Sequence, residues 1–229
     1  LRARDIPLDN LLTVQCPSTH DISWEVFVRD LYNPLKAQLL ARGWMNGQLA
    51  DEVDAEGRQA AVVFEHRIDY LVTCRLPVRI EETAGPGTPQ NDGGAVDQEL
   101  ALLPQHGLPR AGPLRNPLFE RFTPSTVERN QVVRVSRLDG PTAADAMALV
   151  DRAIAAEQTG LIGRAYIDLS GRAPAGDEWL SETASLLEAA DFVTTVHRPE
   201  TAYSFTDRLD GMAWYFGWYE RRPYGPFER

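Results

Sequence analysis

The sequence has few cysteines and few histidines, and neither type is arranged as a site. It contains two cysteines, Cys16 and Cys74, and four histidines among 229 residues. Two cysteines are too few for a disulfide framework, and each lies in or beside an apolar run that favours a small buried side chain. The histidines lack the helical i, i+4 spacing and the nearby cysteines of zinc sites. The sequence therefore predicts no metal site.

Positive charge is also scarce, and phosphate-binding motifs are missing. The chain has 23 Lys and Arg against 33 Asp and Glu, a formal net charge of −10. Nucleic acids and anionic membranes require a basic face, so this balance disfavours both as partners. Neither a Walker run nor a Gly-x-Gly-x-x-Gly turn after a strand is present. We therefore predict no nucleic-acid partner and no cofactor.

Long hydrophobic runs are absent as well. No run approaches the roughly 20 apolar residues of a membrane helix, and no charged and then apolar leader opens the chain. We expect no membrane span within the chain. Because the sequence begins at Leu1 and stops at Arg229 just after a turn, we expect a fragment truncated at both ends. A leader upstream stays an open alternative. The composition suits one large α/β domain over residues 1–229.

Apolar periodicity predicts strands alternating with helices. We expect a helix over 24–39 with a kink or a helix junction at Pro34, a helix after Pro141, and a helix opening at Asp177. The acidic stretch 47–59 is predicted to be a solvated loop. Predicted strands occupy 11–15, 68–76, 131–135, 164–168, 192–196 and 212–218. Such alternation favours a mostly parallel sheet with helices on both faces.

The stretch 83–130 interrupts this alternation. Glycine and proline break any regular period there, which predicts a long, loop-rich insertion or lid. One short helical piece is expected over 97–103. Asp97 is as well placed to cap that helix as to bind a ligand.

Candidate catalytic residues follow the predicted strands. Asp139 and Asp168 each end a strand, and neighbouring parallel strands would bring them to the carboxyl edge of the sheet with Cys16, Arg79 and Tyr219. Both aspartates are weak candidates for catalysis, because each also suits a turn or cap. Arg79 can clamp a carboxylate, or it can be an ordinary surface arginine.

The most aromatic run of the chain closes the last predicted strand. Gly217 allows a sharp turn or a close approach of the backbone, and Trp218 and Tyr219 follow it. Ligands of open α/β sheets bind beyond the carboxyl ends of strands, so we expect these three residues to bind a ligand. Stacking or packing is the alternative role for Trp218.

Six segments together resemble an uncharacterised bacterial family found in genomes with an exosortase (PEP-CTERM) protein-sorting system. They are 4–10, 70–73 with 77–80, 97–103, 116–119, 137–141 and 215–219. The resemblance implies an extracytoplasmic protein that acts on or near an exported protein or a cell-envelope component. It also implies a strand and helix before residue 1 and a further strand, rich in His and Ser, after residue 229. Leu76 and Ser170 depart from the family pattern.

The chain also resembles, more distantly, gingipain-like and caspase-like cysteine peptidases. This implies a caspase-like or flavodoxin-like three-layer fold. Trp218 stands where those peptidases keep a histidine, and an indole cannot accept the proton of a thiol. No catalytic Cys/His pair is visible, so we expect the fragment by itself not to cleave peptides. A peptide- or glycan-binding scaffold and a hydrolase using strand-end aspartates are the alternative functions.

Overall fold

The computed structural model describes residues 4–83, 92–169, 171, 173–198 and 209–217. The chain divides into two compact units, Leu1–Ala146 and Met147–Arg229. Helices and strands occur in both units, which confirms the α/β class. The prediction that residues 1–229 form a single domain stays a prediction.

A helical stretch of three segments opens the first unit. Helix α1, Trp24–Val26, is capped by Ser23, whose Oγ accepts the Val26 N–H. A π-helical segment, Phe27–Tyr32, follows and leads into α2, Asn33–Ala41. The change of helix type falls just before Pro34, which has no N–H to donate to a regular turn. The junction predicted at Pro34 corresponds to this change of hydrogen-bond pattern, and the backbone of Asn33 itself stays helical, with φ −63° and ψ −47°.

The strands of the first unit form three small sheets. The strands are β1 Asp21–Ile22, β2 Met45–Val53, β3 Gln59–His66, β4 Leu71–Thr73, β5 Arg79–Ile80, β6 Gly94–Ala95 and β7 Val135–Arg137. A three-stranded sheet has the order β1-β5-β6, β2 and β3 form an antiparallel hairpin, and β4 pairs with β7 in parallel. The remaining elements are a 3-10 turn, Leu8–Asn10, and helices α3, Val96–Ala101, and α4, Thr126–Arg129.

Several local predictions for the first unit are wrong. Of the strand predicted over 131–135 only Val135 belongs to a strand, and of the strand predicted over 68–76 only 71–73 pair. The acidic stretch predicted as a loop forms most of the β2–β3 hairpin, because antiparallel pairing satisfies the backbone even where the side chains stay in solvent. The stretch 11–15 forms no strand. Its alternate residues Leu12 and Val14 pack against the core, while Leu11 is exposed.

The core of the first unit joins the helical stretch to the predicted insertion. Phe27 and Leu31 are fully buried, and so are Val96, Leu100 and Leu103 from the stretch predicted as an insertion. Helix α3 confirms the predicted helical piece. The described part of the insertion, 92–130, therefore supplies part of the core around which the first unit folds.

The second unit carries a parallel sheet. Helix α5, Ala143–Thr159, begins in the first unit and leads to β8, Arg164–Asp168. Helix α6, β9 and β10 follow as Pro174–Ala189, Thr194–His197 and Met212–Gly217. The order is β10-β8-β9, and both pairings are parallel. The predicted strand 164–168 is confirmed residue for residue.

Strand β8 lies at the point where the winding of this sheet reverses. The chain passes from β8 through α6 to β9 on one side, and then places β10 on the other side of β8. Open α/β sheets bind ligands beyond the carboxyl ends of strands at such a reversal. The carboxyl end of β8, where Asp168 lies, is therefore the position at which this topology favours a site.

The sheets of the described residues are small and mixed. The structure has parallel pairs in both units, together with antiparallel pairs β2–β3 and β5–β6. It shows mixed α/β content, whereas one mostly parallel three-layer sheet stays a proposal. No helix in the described part of the chain combines the length and the apolar character needed to cross a membrane.

Candidate functional site

Three side chains meet at the carboxyl ends of the parallel strands of the second unit. His197 Nδ1 lies 2.9 Å from Asp168 Oδ1, and the Tyr215 hydroxyl donates to Asp168 Oδ2 at 2.8 Å. Asp168 is fully buried, whereas the His197 side chain is 28% exposed. Asp168 is thus closed to solvent, whereas His197 and Tyr215 are both partly exposed.

The strand register produces this arrangement. Asp168 ends β8 and pairs with His197, the last residue of β9, and with Gly217, the last residue of β10. A Cβ on Gly217 would lie 2.5 Å from the Asp168 Cβ and 3.1 Å from the Tyr215 hydroxyl. Only glycine leaves room for this carboxylate and its phenol partner. Gly217 therefore belongs to the site, because its missing side chain leaves the space that Asp168 and Tyr215 occupy.

Hydrogen bonding fixes the chemistry of the imidazole. A carboxylate only accepts hydrogen bonds, so the histidine nitrogen facing it, Nδ1, carries the proton. The lone pair is then on Nε2 of His197. An imidazole held in this tautomer by a buried carboxylate is the arrangement that accepts a proton from a nucleophile in acyl-transfer enzymes. Asp168 acts here as the positioning residue for His197.

The other candidate aspartate has a different environment, in the first unit. Asp139 follows β7, its Oδ1 accepts the Gly140 N–H at 2.8 Å, and its Oδ2 lies 3.4 Å from Arg137 Nη1. These are bonds of a turn residue. Asp139 lies in the first unit beside the β4–β7 pair, and Asp168 and His197 lie in the second unit.

Arg79 forms an ion pair within its own chain. It starts β5, and its Nε and Nη2 donate to Asp21 at 2.9 and 3.2 Å. A carboxylate of the protein thus occupies the guanidinium fork in which we predicted a ligand. The pair is exposed, and the hydrogen bond from Arg79 lowers the pKa of Asp21.

The cysteines lie in the first unit and are free thiols. Cys74 is exposed and Cys16 is half-buried, so the prediction of a small buried side chain is wrong for Cys74. Partial burial raises the pKa of the Cys74 thiol, the charge of Asp139 raises it further, and the charge of Arg137 opposes the rise. Burial and then the charge of Asp30 raise the pKa of Cys16. Nucleophilic cysteines have lowered pKa values, so neither environment activates its thiol.

Arg137 organises the edge of the β4–β7 pair without leaving a donor for a ligand. It donates to both oxygens of Asp97, at 2.7 and 2.8 Å, and to the carbonyls of Leu76 and Pro77, at 2.7 and 2.9 Å. The Thr73 hydroxyl also donates to Asp97. Asp97 therefore binds Arg137 and Thr73 and makes no cap bond to α3.

The sequence identifies part of the site. Asp168 and Gly217 are among the predicted site residues; the position of His197 at the end of a strand favours a surface or satisfied histidine over a general base, and Tyr215 carries no signal of its own. Trp218 and Tyr219 lie outside the described residues. One sequence signal could have found His197. It ends the strand that follows β8 in the chain, and consecutive strands of a parallel sheet are usually neighbours, so their last residues lie side by side.

The surroundings of the site contain no metal centre within the described residues. No group of three or more His, Cys, Asp or Glu side chains there could hold a metal ion. Comparisons of the chain with protein-family models, with curated proteins and with solved structures found no match. The functional argument therefore rests on the geometry of the chain itself.

Proposed function

We propose that the carboxyl edge of β8, β9 and β10 is a hydrolase site in which His197 acts as the general base. The observation that carries the proposal is the 2.9 Å contact between His197 Nδ1 and the fully buried Asp168 carboxylate. His197 would take the proton of the attacking nucleophile on Nε2 and return it to the leaving group. Asp168 would stabilise the imidazolium formed between these two steps.

This proposal revises the role given to the strand-end aspartates. Asp168 is too buried to touch a substrate, so it acts through His197, and Tyr215 holds the second carboxylate oxygen. His197 also supplies the imidazole that Trp218 cannot supply. An acyl bond, in a peptide or an ester, is the substrate class on which such an oriented histidine acts.

Alanine and asparagine variants test the proposal. We expect His197→Ala and Asp168→Asn to lower kcat at least about 100-fold for a simple aryl ester and for a labelled protein substrate. Added imidazole should restore part of the His197→Ala rate. Asp168→Asn should leave KM unchanged, because the buried group does not contact substrate.

His106→Ala is the matched control, since His106 is an exposed histidine of the first unit. Its turnover should equal that of the wild type. Undiminished turnover in a folded His197→Ala protein, or no turnover of either substrate by the wild-type protein, would contradict the proposal.

We further propose membership of the exosortase-associated family, an extracytoplasmic location, and a caspase-like three-layer sheet. The ordered set of matching segments supports the first two. The parallel order β10-β8-β9 supports the third, because a doubly wound sheet of the flavodoxin type starts with such an order. Fractionation of cells expressing the complete gene tests the location, and a cytosolic product would contradict it.

A further inference from the structure

A cavity of about 500 Å³ lies in the described part of the predicted insertion. This volume falls within the range of sites for small ligands and short peptide segments. Its wall combines apolar side chains with two guanidinium groups: Leu102, Leu108, Leu114 and Pro117 with Arg115 and Arg121. The residues of the cavity wall all belong to the first unit, and the Asp168 group belongs to the second.

The acidic side chain of this cavity is already satisfied. Glu128 accepts from the Ser125 backbone N–H at 2.8 Å and from the Ser125 hydroxyl at 2.9 Å, and its other oxygen lies 3.1 Å from Arg121 Nε. These hydrogen bonds from Ser125 lower the pKa of Glu128. Its carboxylate therefore stays ionised and engaged in the capping box of α4.

Positive charge remains in excess in this cavity. Among the described residues, Arg115 forms no hydrogen bond or ion pair, and its one electrostatic interaction is with Glu128. Arginine presents five donors in a planar fork that matches a carboxylate. Arg115 and Arg121 together thus offer more donors than Glu128 can use, in a chain whose net charge is −10.

Exposed aromatic side chains accompany the arginines. Phe122 is 99% exposed and Phe119 is 68% exposed, and they lie in the chain beside Arg121 and Pro117 of the cavity wall. The segment is held by defined bonds, with the Asn116 side chain accepting the Leu118 N–H at 2.9 Å. Large apolar side chains kept in solvent next to a cavity mark an interaction surface.

We propose that this cavity binds an acidic peptide in which a carboxylate side chain is adjacent to apolar residues. The two arginines take the carboxylate, and the leucines and the exposed phenylalanines cover the apolar neighbours. A polyanion such as a nucleic acid is disfavoured, because the net charge of −10 repels an extended negative backbone. The charge excess is local, because it comes from Arg115 and Arg121 in the wall of one cavity.

Calorimetric titration with a matched pair of capped peptides tests this inference. We expect acetyl-Gly-Leu-Asp-Phe-Gly-amide to bind, and the same peptide with asparagine for aspartate to bind at least about tenfold more weakly. Arg115→Gln should weaken binding of the aspartate peptide about tenfold and leave the melting temperature unchanged. Arg152→Gln, at an exposed arginine of α5, is the control and should bind as the wild type does.

Three results would overturn the inference. They are equal affinity for the aspartate and asparagine peptides, unchanged affinity in Arg115→Gln, and no heat of binding at millimolar peptide. A competition titration with inorganic phosphate tests whether the cavity takes free anions instead. If phosphate displaces the peptide at a concentration below the peptide Kd, the cavity is a site for free anions and not for peptides.

Discussion

At the scale of single residues, the group formed by Asp168, His197 and Tyr215 depends on the absence of a side chain at Gly217. Gly217 lies beside Asp168, and the space that a Cβ would need is filled by the carboxylate and by the Tyr215 hydroxyl. With a residue larger than glycine at position 217, β9 and β10 could not hold the Asp168 carboxylate between them. Glycine at position 217 thus leaves Asp168 in the position from which it hydrogen-bonds His197.

We expect Gly217→Ala to destabilise the protein by about 1–3 kcal/mol, because the added methyl group overlaps Asp168 in a packed sheet. Urea denaturation measures this free energy of unfolding. Gly94→Ala is the control, since a Cβ there would meet nothing closer than 4.0 Å. Equal denaturation midpoints for the two variants would contradict the steric account.

At the scale of secondary-structure elements, the β4–β7 pair is tied to α3 by one arginine. Arg137 of β7 bonds Asp97 of α3 and the carbonyls of Leu76 and Pro77 beyond β4. This pair is mostly withdrawn from solvent, whereas the Arg79–Asp21 pair is exposed. The two pairs therefore allow a comparison of a structural ion pair with a surface one.

We expect Arg137→Gln to cost about 2 kcal/mol of unfolding free energy, because it leaves the Asp97 carboxylate without its charged partner. Arg79→Gln should leave the denaturation midpoint nearly unchanged, since water solvates the Asp21 carboxylate. A double-mutant cycle with Asp97→Asn isolates the pair. A coupling energy near zero would show that the contacts with the two carbonyls carry the effect.

At the scale of the whole molecule, the pH dependence of stability depends on a buried pair in the helical stretch. Lys36 is the only lysine of the chain, and its ammonium lies 3.4 Å from the Tyr32 hydroxyl and from the Gln105 carbonyl. Burial first and the charge of Arg58 second lower the pKa of Lys36 from 10.5 to about 8, and the charge of Asp54 opposes the fall. Burial raises the pKa of Tyr32 from 10.0 to about 12.

These two shifts have opposite effects on stability. Between pH 8 and 10.5 the unfolded chain binds the Lys36 proton more strongly than the folded chain, so stability rises with pH. Between pH 10 and 12 the folded chain keeps the Tyr32 proton that the unfolded chain loses, so stability falls. We therefore expect the combined contribution of these two groups to stability to be largest near pH 10.

Melting temperatures of the wild type and of Lys36→Met between pH 7 and 11 test this expectation. The difference between the two proteins removes contributions from the cysteines. Methionine has a similar length and no charge, so the variant should be the more stable protein at pH 7, and its advantage should shrink above pH 8. A difference that does not change with pH would contradict a buried ammonium at position 36.

The β2–β3 hairpin shows why part of the fold escaped prediction. Its polar residues carry no period-2 pattern of apolar side chains, because most of β2 after Gly47 stays in solvent. Backbone pairing holds the two strands together. A method based on apolar periodicity has no signal in such a segment, and so the acidic stretch was predicted to be a loop.

The sequence by itself determined the α/β class, the helix junction at Pro34, the bounds of β8 and the candidacy of Asp168 and Gly217. These depend on local properties, namely apolar spacing, the missing N–H of proline and the small size of glycine. Only the tertiary structure decided that His197 and Tyr215 contact Asp168. Strand order and register determine those contacts, and they arise from pairing between residues 29 and 47 positions apart in the chain.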